Sequence, residues 1–278
     1  MIIVLLAVFG LIFGSFVNAL VWRLHEQDEL SGKKGKKNTE RLKSLSITQG
    51  RSMCPHCSHE LAAKDLVPVA SWLWLRGKCR YCSAPISWQY PVVELLTGVL
   101  FVLSYWSWPL GFHQTGLFQF VLWLVFLVGF MALAVYDLRW FLLPDRIVVP
   151  LSVLAAAQVI VTAVWLKSFT ALWQPLAGAS IIFGLFWLLF QVSKGAWIGG
   201  GDVKLAVALG LLAGTPLRAF LVIFFASLAG TVVSLPLLAR GKQGMQLHIP
   251  FGPYLLFATG VVVLYGTPIV NWYQSLFL

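Results

Sequence analysis

The chain is poor in acid. Its 278 residues carry 10 carboxylates against 20 lysines and arginines, for a net charge of +10. Beyond Glu94 the remaining 184 residues (278 − 94) hold three, Asp137, Asp145 and Asp202. Charge of either sign is scarce, at 11% of residues against about 25% in soluble domains. Hydrophobic residues make up 59%, with a mean hydropathy of +0.83. This excludes a globular enzyme built on one large core. Sequences of the G-x-S-x-G, H-E-x-x-H and Walker types are absent, which removes the corresponding nucleophile, zinc and phosphate-loop chemistries. There is no convincing internal repeat, and no aromatic-interleaved basic fold, so nucleic acid is not an expected partner. The apolar N-terminal run lacks a basic leader and a small-residue cleavage site, and reads as a membrane helix.

What is present is a series of apolar runs, each near the ~20 residues needed to span a bilayer. They are Ile2–Trp22, Val92–Trp108, Leu117–Tyr136, Ile147–Leu166, Leu172–Val192, Lys204–Gly214, Leu217–Leu238 and Tyr254–Tyr273. Lys204–Gly214 is too short to span alone, so the expectation is an all-α polytopic membrane protein of about eight helices, or seven. With the N-terminus outside, 18 of the 20 basic residues fall on one face; Lys167 and Arg218 are the exceptions. The positive-inside bias makes that face cytoplasmic, and its charge draws it to anionic membrane lipid.

The one sizeable polar segment is His25–Tyr90. Glu26–Gln49, rich in lysine, reads as a mobile basic linker on the membrane surface. Cys54-Pro55-His56-Cys57 and Cys79-Arg80-Tyr81-Cys82 form two C-x-x-C knuckles 21 residues apart. Two such knuckles close a tetrahedral ion, which points to structural zinc on Cys54, Cys57, Cys79 and Cys82. His56 and His59 are spare donors. Two disulfides are the alternative, disfavoured in a reducing compartment. A segment this small needs the metal's folding energy.

A carboxylate near lipid is costly and is a functional candidate by default. Asp137 closes the third run in Tyr136-Asp137-Leu138-Arg139, upstream of Leu143-Pro144-Asp145. Asp202 follows Gly199, Gly200 and Gly201 and precedes Val203-Lys204. Three glycines permit unusual backbone and close approach of another chain, which suits a wet pocket at the membrane edge. Two aspartates meeting there share a proton, so that one activates water while the other polarises a peptide carbonyl. The plainer readings are an Asp137–Arg139 pair, Asp202 as a helix N-cap, Asp145 as a cap after Pro144, and Lys204 snorkelling to the interface.

These motifs together resemble the bacterial type IV prepilin peptidases, which are bifunctional leader peptidases and N-methyltransferases. Gly14-Ser15-Phe16-Val17-Asn18 with Arg23 resembles the family's N-terminal signature. The cysteine pairs follow, then Ser71-Trp72-Leu73, Arg76-Gly77-Lys78-Cys79 and Tyr90-Pro91-Val92-Val93-Glu94. Asp137 with Leu143-Pro144-Asp145 resembles the first catalytic motif. Gly199-Gly200-Gly201-Asp202-Val203-Lys204 resembles the GxGD motif of intramembrane aspartyl proteases, and Pro250-Phe251-Gly252-Pro253-Tyr254 the entry to the last helix.

The resemblance implies that Asp137 and Asp202 are the catalytic pair. Gly199, Gly200, Gly201, Lys204, Pro144 and Asp145 would support their loops. The substrates implied are prepilins or pseudopilins of pilus and type II secretion systems. Their basic leader would be cut at the cytoplasmic face of the inner membrane, usually after glycine. The freed amine would then be methylated with S-adenosylmethionine, for which no binding residues are visible. One departure from the family is the lysine-rich stretch after Leu24.

The expected division is residues 1–24, a first membrane helix; 25–91, the basic linker and a methyltransferase-associated zinc module; and 92–278, the peptidase domain. A proton-coupled transporter using the same aspartates, and a membrane anchor whose zinc module docks a partner, are the competing functions. The sequence sets no oligomeric state.

Overall fold

The computed structural model describes residues 1–31, 42, 44–47, 50–239 and 249–276. Most of the lysine-rich linker, with Arg240 and Lys242, lies outside those residues. The described residues are helical, with isolated bridges at Met53–Glu60 and Lys78–Pro85 and no named strand. The helices are α1 (Ile2–Ser31), the short α2 (Ala70–Trp74), α3 (Gln89–Trp106), α4 (Gln114–Trp140), α5 (Asp145–Leu166), α6 (Thr170–Ser193), α7 (Gly200–Ala213), α8 (Pro216–Ala239) and α9 (Gly252–Ser275).

Each of the eight expected apolar runs thus becomes a helix. Six are long and apolar enough to cross a membrane: α1, α4, α5, α6, α8 and α9. The other two fall short for visible reasons. The 18 residues of α3 include Glu94, and α7 has only 14 residues. This is a multi-pass membrane protein.

The chain forms two compact units, Met1–Trp106 and Ser107–Leu278. In the first, α1 and α3 pack backbone against backbone. A Cβ on Gly14 would lie 2.6 Å from the Glu94 Cα, an approach only a small residue allows. Contrary to the expected break after Trp22, α1 continues to Ser31, supported by His25 and Glu29 one turn apart at 3.5 Å. Described parts of the linker are also tied down. The buried Arg23 guanidinium donates to the Ser46, Ile47 and Gly50 carbonyls, and Gln27 donates to Leu45. A buried cation here satisfies carbonyls that would otherwise face apolar helix.

In the second unit the short α7 is the centre. Leu205, Ala206, Ala208 and Leu209 are wholly buried, and the helix packs against α5, α6, α8 and α9. A helix apolar on all sides belongs inside a protein. Its small residues let neighbours close in, as a Cβ on Gly210 would sit 2.3 Å from the Ala179 Cα. Outward faces of the surrounding helices carry Val153, Val164, Phe220 and Phe224, exposed as lipid contact requires. The first turn of α7, with Asp202, is the half-buried end of this otherwise buried helix.

Candidate active site and cysteine cluster

Asp202 is the third residue of α7. The N-cap is Gly199, and the Asp202 N–H donates to its carbonyl at 3.1 Å. The Asp202 carboxylate in turn takes a hydrogen bond from the Gly199 backbone, so it is not the cap residue but reaches back to the cap. Its Oδ1 is buried with no hydrogen-bond partner among the described residues. The glycines do not serve through unusual backbone. Gly199 has φ −70°, and neither Gly200 nor Gly201 has positive φ. Close approach is the reason: a Cβ on Gly201 would lie 2.9 Å from the Leu143 Cβ.

Asp137 lies in the last turn of α4, which ends when Phe141 turns left-handed (φ 55°) and donates its N–H to the Asp137 carbonyl. The Asp137 side chain is buried and accepts the Gly252 N–H at 3.1 Å. Gly252 opens α9, so the carboxylate faces the positive end of that helix. A Cβ on Gly252 would be 2.5 Å from Asp137 Oδ2 and 3.5 Å from Leu143. Leu143 therefore touches both glycine elements, one beside each aspartate. The two carboxylates lie within Coulombic range of each other. No Asp137–Arg139 pair forms; Arg139 lies over the Trp140 ring.

Asp145 and Lys204 also differ from their plainer readings. Pro144 is the N-cap of α5 and Asp145 its first residue. Lys204 Nζ reaches both Asp145 oxygens at 2.8 Å, so the cation pairs across helices instead of snorkelling. The pair links the α5 start to the α7 start, the two segments that flank the aspartates.

The four cysteines converge, with all ligand atoms within 4.8 Å of one another. Cys54 and Cys82 sulfurs are 3.8 Å apart. Zinc–sulfur bonds of ~2.3 Å in a tetrahedron give an edge of about 3.8 Å, whereas a disulfide needs ~2.05 Å. The cysteines are free thiols, so the disulfide reading fails. The cluster can hold a metal ion.

The two knuckles are copies of one turn. Cys54 and Cys79 donate their N–H groups to the His59 and Ala84 carbonyls, and they accept from Ser58 and Ser83. Both serines are left-handed, at φ 56° and 58°. The sequence writes this turn twice as C-x-x-C-S, a unit of five residues and so shorter than a domain repeat. Desolvation opposes the Cys79 thiolate, but the Cys82 and Tyr81 N–H groups aimed at its sulfur outweigh it and hold the thiol down to about 7. The spare donor His59 stacks on Tyr81, ring centroids 3.7 Å apart.

Residues 8–108 match the bacterial Peptidase A24 N-terminal domain, and residues 124–235 match the type IV leader peptidase family. A prepilin leader peptidase/N-methyltransferase of Stutzerimonas stutzeri is 34% identical over 275 residues, covering 96% of this chain and 91% of the relative. The chain belongs to the type IV leader peptidase family. Relatives bearing the same name from Aeromonas hydrophila and Pseudomonas aeruginosa are each 32% identical, over 99% and 95% of this chain and 94% and 90% of their own lengths. No solved structure matches.

Within this leader peptidase family member, Gly252 and Leu143 complete the aspartate pocket. Sequence reasoning placed both only as motif spelling. The signal was there in Pro253, which favours a helix start one residue after a glycine. The family match gives no support to a proton-coupled transporter.

Proposed function

We propose that this chain cleaves the leader from prepilins or pseudopilins with Asp137 and Asp202 as an aspartyl peptidase pair. The observation that supports this is their convergence: two scarce carboxylates, 65 residues apart (202 − 137) in sequence, lie within Coulombic range of each other, with Leu143 against the glycine beside each. Each carboxylate accepts one backbone N–H, Asp137 from Gly252 and Asp202 from Gly199, and Asp202 Oδ1, buried without a donor among the described residues, takes the shared proton. Asp137 then deprotonates the attacking water as the Asp202 proton polarises the scissile carbonyl. The tetrahedral species collapses with proton return to the leaving amine, and no covalent intermediate forms. Glycine at Gly201 and Gly252 lets Leu143 and the Asp137 carboxylate close against the two helix starts, which brings the aspartates toward one another. The bias of basic residues to one face supports a site at the cytoplasmic side of the inner membrane.

Substituting Asp202→Asn or Asp137→Asn should lower prepilin cleavage in proteoliposomes by about 10²–10⁴-fold, the scale of general acid–base catalysis. Cleavage within threefold of the parent by a folded Asp202→Asn variant would sink this assignment.

We also assign zinc to Cys54, Cys57, Cys79 and Cys82, where it would supply folding energy by closing the two knuckles. Met1–Trp106, with this module, is the proposed seat of N-methylation, on the strength of the relatives' name. The acceptor would be the amine freed by cleavage, and the donor S-adenosylmethionine. No residue of this chain is identified as holding that donor, and no step is derived through it. The remaining unit, Ser107–Leu278, is then the peptidase.

A further inference from the structure

Arg218 stands in the first turn of α8 and lines a cavity of about 210 Å³ together with Gln158, Gln119, Thr162, Thr267 and Trp108. The cavity lies at the end of the unit away from the aspartates. Asp202 opens α7, and Gly214, at its far end, lines the cavity; those 14 residues rise about 21 Å. The first turn of α8 carries positive potential that opposes a cation, and the C-terminal end of α7 at Gly214, beside the guanidinium, offsets this in part without supplying a full negative charge. Its guanidinium donates to Thr267, and no ion pair to it forms among the described residues. No side-chain carboxylate of this unit is free to pair with it. The three side-chain carboxylates of Ser107–Leu278 are Asp137 and Asp202, in the candidate active site, and Asp145, held by Lys204.

The polar lining adds a second, independent demand. Gln119 donates to Thr162 at 3.3 Å and is satisfied. Gln158 Oε1 is buried and has no donor among the described residues. One cavity therefore presents an unneutralised cation, which calls for an anion, and a buried acceptor, which calls for a donor. Its volume exceeds what a single water occupies many times over. Tryptophan beside the cation, here Trp108, fits headgroup depth, where amphipathic rings concentrate.

We propose that this cavity binds a phosphate anion, and that the phosphate is the diester of a lipid headgroup that also carries a hydrogen-bond donor, as in phosphatidylglycerol. The phosphodiester accepts from Arg218, and a headgroup hydroxyl donates to Gln158. The site is noncatalytic and would couple the fold of the peptidase unit to the composition of the leaflet opposite the aspartates. It does not depend on the peptidase assignment.

The test uses the full-length protein, delipidated in detergent and titrated with short-chain phosphatidylglycerol, phosphatidylcholine or inorganic phosphate at matched ionic strength. Binding is read by native mass spectrometry and thermal stability. Phosphatidylcholine shares the phosphodiester but adds a cation and lacks the hydroxyl donor, so phosphatidylglycerol should bind about tenfold more tightly. Arg218→Met should weaken phosphatidylglycerol binding about tenfold and reduce that preference, Arg218→Lys should keep part of both, and Gln158→Leu should narrow the preference. Equal protection by inorganic phosphate would support the anion site but overturn the lipid source. An undiminished phosphatidylglycerol preference in Arg218→Met, or none in the parent, overturns the proposal. If Arg218→Met fails to fold, a full preference retained by Gln158→Leu together with loss of all preference in the still-cationic Arg218→Lys does so instead.

Discussion

Gly252→Ala isolates the contact between Asp137 and the start of α9. The added Cβ would lie 2.5 Å from Asp137 Oδ2, while ordinary contact begins at 3.4 Å, so the two must separate by about 0.9 Å (3.4 − 2.5). The Gly252 N to Asp137 Oδ2 distance of 3.1 Å then lengthens to at most about 4.0 Å (3.1 + 0.9), which weakens or breaks the hydrogen bond. Losing a hydrogen bond to a charged acceptor costs about 1.5–3 kcal/mol. If that bond stabilises the ionised base during attack, kcat falls about 10- to 150-fold. Gly260 supplies the control, as it sits on the same helix with nothing within 4 Å of an added Cβ. Gly260→Ala should leave the rate unchanged and gain up to about 1 kcal/mol of helix stability. The assay is initial-rate cleavage of a purified prepilin in proteoliposomes, with thermal unfolding measured in parallel. A parental rate for folded Gly252→Ala refutes the reasoning, as does an equal loss in Gly260→Ala.

The Lys204–Asp145 pair is more than half exposed on both sides, so Lys204→Ala should cost no more than about 1 kcal/mol and slow cleavage by at most about fivefold. Reversing both charges should restore the rate more than either single reversal; equal rates for all three variants would show that the pair does not align the loops. Cys57→Ser should abolish bound metal and N-methylation while cleavage falls less, as measured by metal analysis with separate peptidase and methyl-transfer assays. Equal loss of both activities would indicate collapse of the fold. Asp65 is tied to Arg80 Nε at 2.6 Å and to the Tyr81 hydroxyl at 3.0 Å. Burial pushes its carboxyl up, but those two bonds outweigh it and hold it below the usual carboxylate value. Its stabilisation is therefore complete above pH ~4 and fades as pH falls through the lower folded value. Asp65→Asn should destabilise the module by about 1–3 kcal/mol at neutral pH. The gap to the parent should close on acidification, and a gap independent of pH would exclude the ionic contribution.

The membrane helices were legible because lipid leaves no alternative to internally bonded backbone, so apolar length alone marks them. Their ends were not. The extension of α1 to Ser31 rests on polar contacts such as His25 with Glu29, which carry no hydropathy signal. Asp137 and Asp202 stood out by cost, since few carboxylates are retained near lipid. Gly252 did not, because its role is the absence of a side chain and its partner lies 115 residues away. Lys204 and Asp145 were read as separate interfacial residues for the same reason: a pairing 59 residues apart in sequence is set by how α5 and α7 pack, not by local spacing. The cysteine cluster was fully legible, since its chemistry is written in spacing.

The duplicated cysteine turn has a mechanical consequence. Each knuckle closes its own backbone hydrogen bonds, so each half is complete as a small cradle, and an ion bound between them acts mainly as a clasp. It joins the ends of a loop running from Cys57 to Cys79, and such a cross-link restricts the open chain by about 3 kcal/mol on the loop-entropy estimate. Unlike a disulfide, the clasp opens by simple loss of the ion, without electron transfer. The loop it gathers contains α2 and its exposed Leu73 and Trp74, so metal supply would set whether that apolar edge is presented as one ordered surface.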